Sequence, residues 1–173
     1  MIQWLFSQIQ KDMQDKCHQT IIMISSQLKE PICDEYNKEP IVPIEESKVL
    51  VWTSLGFCIP AYYAYYNEKY SYAYLSFITS GISALYWWRP TYGWRRNLDL
   101  CIAKISFITY FTTAYMQMKN NIHPKYPIMV YTGTPLMLLL YNLSCIYPKN
   151  WWVYHAGFHI VVNMHKMIII HFL

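Results

Sequence analysis

The chain has 173 residues, a length that allows one or two ordinary domains. Hydrophobic residues make up 54% of it and charged residues only 14%, whereas about 25% of a typical globular chain is charged. This composition excludes an intrinsically disordered chain and argues against a basic domain that binds nucleic acid. The five cysteines are scattered without a Cys-x-x-Cys pair, so we expect neither a disulfide framework nor a zinc finger.

Charge is distributed unevenly along the chain. Residues 1–48 contain five lysines and eight acids, whereas residues 49–173 contain nine lysines and arginines and two acids, Glu68 and Asp99. Two carboxylates are too few to cover the surface of a water-exposed domain of that size. We therefore predict a membrane protein with a boundary near Lys48.

Residues 1–48 are predicted to precede the membrane domain. An apolar stripe recurs at helical spacing at Ile2, Leu5, Phe6, Ile9 and Met13. This stripe predicts an amphipathic helix that lies on a membrane surface or packs on the protein itself or on a partner. Three prolines among the acids of residues 30–47 predict an irregular linker.

Five charge-poor stretches follow, and a helix needs about 20 mostly apolar residues to cross a bilayer. We therefore predict an all-α, polytopic membrane bundle of about five transmembrane helices, with four as the alternative if the last stretch is re-entrant. The predicted spans are 49–66, 70–88, 100–118, 126–148 and 150–173. The placement of Lys and Arg then predicts a cytosolic N-terminus and a lumenal or exterior C-terminus.

Four polar residues are predicted to meet at the cytosolic ends of three spans. Ser83 lies near the end of the second span, Asp99 precedes the third, and His155 and His159 open the fifth. With a rise of about 1.5 Å per residue, all four lie within about two helical turns of one interface. This convergence indicates a functional site.

The role of each polar residue at this interface has two interpretations. His155 and His159 are four residues apart and project from one helix face, as a two-histidine metal half-site requires. The alternative is hydrogen bonding between helices or to lipid headgroups. Asp99 is a candidate metal ligand, or a carboxylate that orients a metal-bound water. Its alternative is a salt bridge to Arg95 or Arg96.

All three arginines, Arg89, Arg95 and Arg96, lie in the loop between the second and third spans. A guanidinium suits phosphate, so contact with anionic lipid headgroups is one expectation, and a basic loop that only sets topology is the other.

Four further polar residues, Lys104, His165, Lys166 and His171, are candidates for the lining of a polar passage. For Lys166 and His171 we favour snorkelling toward the far interface.

These residues, in this order, resemble the superfamily of membrane hydrolases and receptors that contains the alkaline ceramidases and the progestin and adipoQ receptors. The stretch Ser83-Ala-Leu-Tyr-Trp87 looks like the S-x3-H motif of that group with tryptophan in place of histidine. Asp99 matches the aspartate that opens the next span, and His155-Ala-Gly-Phe-His159 matches H-x3-H.

The resemblance covers roughly residues 70–173. It implies a zinc held by His155, His159 and Asp99, with Ser83 assisting, and hydrolysis of lipid amides by the zinc-bound water.

Two departures weaken this implication. The superfamily has seven spans rather than about five, and Trp87 cannot bind zinc in place of the missing histidine. His123 lies in the opposite loop and cannot substitute for it. A non-catalytic relative or a coincidental likeness is therefore favoured. The loop 86–99 also looks like membrane proteins of unknown function in large DNA viruses.

Two functions follow from the sequence. The first is a non-enzymatic, multi-pass integral membrane protein that has a structural role or organises lipid and protein partners, including homo- or hetero-oligomers. The second is a zinc-dependent lipid-amide hydrolase with its site at the cytosolic membrane interface. The missing third histidine favours the first function, and whether the chain is an enzyme stays open.

Overall fold

The computed structural model describes residues 39–119 and 126–173, apart from the side chains of 126–129. The predicted N-terminal amphipathic helix and most of the predicted linker lie outside these residues. The described helices are α1 (Ile44–Leu55), α2 (Cys58–Tyr66), α3 (Tyr70–Trp88), α4 (Trp94–Lys119), α5 (Tyr126–Ile146) and α6 (Trp151–His171), with a 3-10 turn at Pro148–Asn150. No strand occurs in the described ranges, and the predicted all-α class is confirmed.

The first predicted span is two helices, because the chain breaks between α1 and α2 at Gly56 and Phe57. Pro60 lies in the first turn of α2, where its missing N–H costs no hydrogen bond. A Cβ atom at Gly56 would lie 2.9 Å from the carbonyl oxygen of Thr53 and 3.1 Å from Nδ2 of Asn163 on α6. The glycine therefore lets α6 approach the break closely.

The helices form a bundle with α3 and α6 at its centre. α3 packs against α1, α2 and α4, while α6 packs against α1, α2 and α5. One buried apolar cluster, which we call the Trp87 cluster, consists of Leu50, Tyr86, Trp87 and Ala156. A larger cluster at the other end of the bundle contains Ala64, Ala73, Tyr110, Ala114, Val130, Ile169 and Ile170.

Many polar side chains are buried between the helices, while many large apolar side chains are exposed. The buried polar residues include Ser47, Ser54, Ser76, Ser80, Ser83, Ser106, Gln117, His159 and Lys166. The exposed apolar residues include Tyr74, Phe77, Ile78, Ile105, Ile108, Phe111, Tyr115, Tyr131, Leu138 and Leu139. The burial of so many Ser, Gln and Lys side chains is unusual, because these residues lie mostly at the surface of folded proteins.

Across the described residues, no helix combines the length and the apolar character needed to cross a membrane. The predictions of transmembrane helices and of a multi-pass membrane protein are therefore wrong. So is the predicted integral membrane localisation, with a cytosolic N-terminus and a lumenal or exterior C-terminus. The physical reason lies in the helices themselves. α1 and α2 have only 12 and 9 residues, and the longer helices contain many Ser, Thr, Tyr and His residues, which lack charge but are not apolar.

Candidate functional site

Ser83 of α3 connects α1 with α4 through its hydroxyl group. Its Oγ lies 3.1 Å from Oγ of Ser54 on α1, and it forms a hydrogen bond with the carboxyl group of Asp99 on α4. Burial raises the pKa of Asp99 to about 6, while the hydrogen bond from Ser83 acts in the opposite direction. The structure thus brings Ser83 and Asp99 into direct contact, and it adds Ser54, which the sequence did not single out.

His155 and His159 lie side by side on α6, with ring centroids 4.9 Å apart. Nδ1 of His159 is 2.9 Å from Oγ1 of Thr53 on α1. Burial lowers the pKa of His155 to about 4. It also lowers the pKa of His159 well below its usual range, and the charges of His155 and Lys166 act in the same direction. Both rings are therefore neutral at neutral pH, which is the form in which imidazole binds metals.

Trp87 occupies the position at which the resemblance expects a histidine. Its ring stacks on Trp151 at 5.7 Å and meets the ring of His155 edge-on at 5.2 Å. Nε1 of Trp151 in turn donates a hydrogen bond of 2.6 Å to Oε2 of Glu46 on α1. Trp87 thus places an indole ring beside His155, and its Nε1 is a donor only and cannot bind a metal.

The zinc site that the resemblance implies needs three ligands close together. Among residues 39–119 and 126–173, no group of three His, Cys, Asp or Glu side chains is arranged to hold a metal ion. Nδ1 of His159 is engaged by Thr53, and the carboxyl group of Asp99 is engaged by Ser83. The described residues therefore do not by themselves form a three-ligand zinc site, and His155 and His159 supply two of its possible ligands.

The arginine loop is held against the bundle. Arg95 is buried. The guanidinium of Arg96 lies 5.2 Å from the ring centroid of Tyr92 and forms a hydrogen bond with Tyr86. Arg89 is half-buried at the end of α3. The loop therefore does not display three free guanidinium groups side by side.

The position of Lys166 differs most from the position that the sequence predicts. We expected it to snorkel to the far interface, but it is buried, with only 4% of its side chain exposed. Burial lowers its pKa to about 7. The sequence contained a signal for this position, because Lys166 follows the buried His159 by seven residues and so lies on the same helix face. His171 is exposed, and its Nδ1 is 2.9 Å from the hydroxyl of Tyr63.

Comparisons with protein-family models, with curated proteins and with solved structures find no match to this chain. The resemblance to the alkaline ceramidase and adipoQ receptor superfamily therefore stays a prediction that rests on the motif residues.

Proposed function

We propose that the chain is a non-enzymatic helical scaffold that assembles with further copies of itself by burying its apolar outer surface. The observation that supports this proposal is the large number of exposed apolar and tyrosine side chains on its helices. Monomeric proteins rarely expose contiguous apolar patches larger than a few hundred Å². A surface of this kind is typical of proteins that bury it against a partner.

The outer face of α4 illustrates this surface. Ile105, Ile108, Phe111 and Tyr115 follow one another at spacings of three or four residues, and their exposed fractions range from 46% to 62%. Phe107 stacks on Phe111 with ring centroids 5.8 Å apart. These side chains form a continuous apolar stripe of about three helical turns.

The chemistry of this surface resembles that of protein interfaces. The cores of such interfaces are enriched in aromatic residues and Met, and they are depleted of Lys, Glu and Asp. No acidic residue follows Asp99 in the sequence, so α5 and α6 contain none. Exposed apolar side chains occur on α1 to α6 rather than in one groove. Several copies of the same chain cover such a surface better than a single small partner does.

The proposal is tested by measuring the mass of the full chain by sedimentation over a wide concentration range. We expect concentration-dependent oligomers, and we expect Ile108→Glu to weaken their association at least tenfold, because it places a charge in the α4 stripe. Ser71→Glu adds the same charge at an exposed polar position in the first turn of α3 and should leave association unchanged. A wild-type chain that stays monomeric at every concentration would refute the proposal.

A second candidate function is metal-dependent hydrolysis of a lipid amide. It is favoured by the hydrogen bond between Ser83 and Asp99 and by the adjacent neutral rings of His155 and His159. It takes second place because the described residues do not assemble three ligands.

This second candidate is tested by the metal content of the purified chain and of the double variant His155→Ala/His159→Ala. About one zinc per chain that is lost in the variant would support it, and the absence of metal from both proteins would refute it.

A further inference from the structure

The side chain of Lys166 ends between aromatic rings from two other parts of the bundle. Its Nζ lies 4.7 Å from the ring centroid of Phe57, at the break between α1 and α2. It also lies 4.9 Å from the ring centroid of Tyr110 on α4. One amine thus connects the break with two long helices, α4 and α6.

The surroundings of Lys166 suit a neutral amine better than an ammonium group. Among the described residues, its Nζ is buried without a hydrogen-bond partner, whereas an ammonium group has three protons to donate. The two aromatic faces attract a cation, but they replace only part of the hydration that a buried charge loses. Protonation therefore favours any state in which the amine reaches water.

Within residues 39–119 and 126–173, the titratable groups that face Lys166 do not supply a counter-charge. On α4, burial raises the pKa of Tyr110 to about 12, and its hydroxyl lies 2.8 Å from Oγ of Ser76 on α3. On α6, His159 is neutral, and a positive charge on either residue disfavours one on the other. The α1–α2 break contributes the uncharged ring of Phe57. No carboxylate belongs to this set.

Phe57 couples the amine to the backbone break. Its ring lies 5.4 Å from the ring of His159 as well as against Lys166. It sits directly after Gly56, between two short helices. A lysine that leaves its buried position withdraws one of the contacts that hold Phe57 against α6.

We propose that Lys166 is a pH-dependent switch: protonation of its amine releases the α1–α2 break from its packing against α4 and α6. In the closed state the amine is neutral and buried between the two rings. In the open state the ammonium group reaches water and Phe57 loses its contact with the lysine, which weakens its hold on α6. Since the pKa of Lys166 in the closed state is lowered from 10.5 to about 7, the open state gains population as the pH falls toward 7. This switch goes beyond the proposed assembly function and does not depend on it.

The test is hydrogen–deuterium exchange of the full chain at pH 6 and pH 8.5, with rates corrected for the intrinsic effect of pH. We expect the protection of residues 52–62 to fall at least tenfold from pH 8.5 to pH 6. In Lys166→Met this dependence should vanish. The matched control Lys104→Met, which removes an exposed lysine from α4, should behave like the wild type.

A second variant keeps the test decisive if the methionine chain fails to fold. Lys166→Arg carries a permanent charge, so it should show the low protection of residues 52–62 at both pH values. The proposal is overturned if the wild type has equal protection at both values. It is also overturned if either Lys166 variant retains the pH dependence of the wild type.

Discussion

Replacing the buried Lys166 with methionine should stabilise the folded chain at neutral pH. The pKa of Lys166 falls from its ordinary value of 10.5 to about 7 on burial. Between these two values the unfolded chain binds the proton and the folded chain does not, so stability rises as the pH rises from about 7 to about 10.5. Below about pH 7 the full cost of burying the lysine is present.

The magnitude follows from the same two values. Each pH unit between them corresponds to about 1.4 kcal/mol, so the full cost is about 5 kcal/mol. Methionine is an unbranched side chain of similar length and adapts to irregular core space. We therefore expect Lys166→Met to raise the free energy of unfolding by about 3–5 kcal/mol at pH 7. The gain should shrink to about 1 kcal/mol near pH 9.5.

Urea unfolding followed by near-ultraviolet circular dichroism at pH 7 and pH 9.5 measures this difference. The comparison of variant with wild type at each pH cancels the contributions of the other titrating groups. Lys104→Met is the control, because Lys104 is exposed and its removal should change neither value by more than about 0.5 kcal/mol. Parallel pH profiles for the wild type and Lys166→Met would show that Lys166 has an ordinary pKa in the folded chain, and the reasoning would fail.

Two further predictions concern the packing of α5 on α6 and the hydroxyl group of α3. Gly133→Ala places a Cβ atom 2.5 Å from Cδ2 of His165 and should destabilise the chain by about 1–3 kcal/mol. In the control Gly81→Ala, the added Cβ atom meets no atom within 4 Å and should instead stabilise α3 by about 0.5–1 kcal/mol. Chemical unfolding measures both changes. Equal effects on the free energy of unfolding would contradict the close approach of α5 and α6. Ser83→Ala removes the hydrogen bond to Asp99 and should raise the pKa of that carboxyl group above about 6. A carbon-13 NMR titration measures this change, and an unchanged midpoint would show that the hydroxyl does not hold the carboxylate.

The all-α fold was predictable from the sequence because the helices follow charge-poor stretches. α3 runs from Tyr70 to Trp88, the same residues as the predicted second span, since Lys69 and Arg89 flank a stretch without charge. The membrane assignment failed for a related reason. Absence of charge was equated with apolarity, although serines and tyrosines supply much of these helices.

The candidate site was predictable only in part. Helical spacing was enough to place His155 beside His159, because both lie on one helix. Thr53 was missed because it lies on α1, 106 residues before its partner His159 on α6. Ser54 was missed because it lies 29 residues before its partner Ser83 on α3, and isolated hydroxyl residues produce no recognisable pattern. The burial of the Lys166 side chain was not predicted, because a lysine near a helix end is expected to snorkel toward water.

The short helices before and after the break at Gly56 have a consequence for folding. α1 and α2 contain 12 and 9 residues, and isolated helices of this length are marginal in water. Their contacts with α6 join residues more than one hundred positions apart, such as Thr53 with His159 and Glu46 with Trp151. Long-range closure of this kind slows folding. During synthesis, α1 and α2 can pack on α3 first, but they must wait for α6 before their remaining packing forms, and the bundle closes only after α6 has left the ribosome.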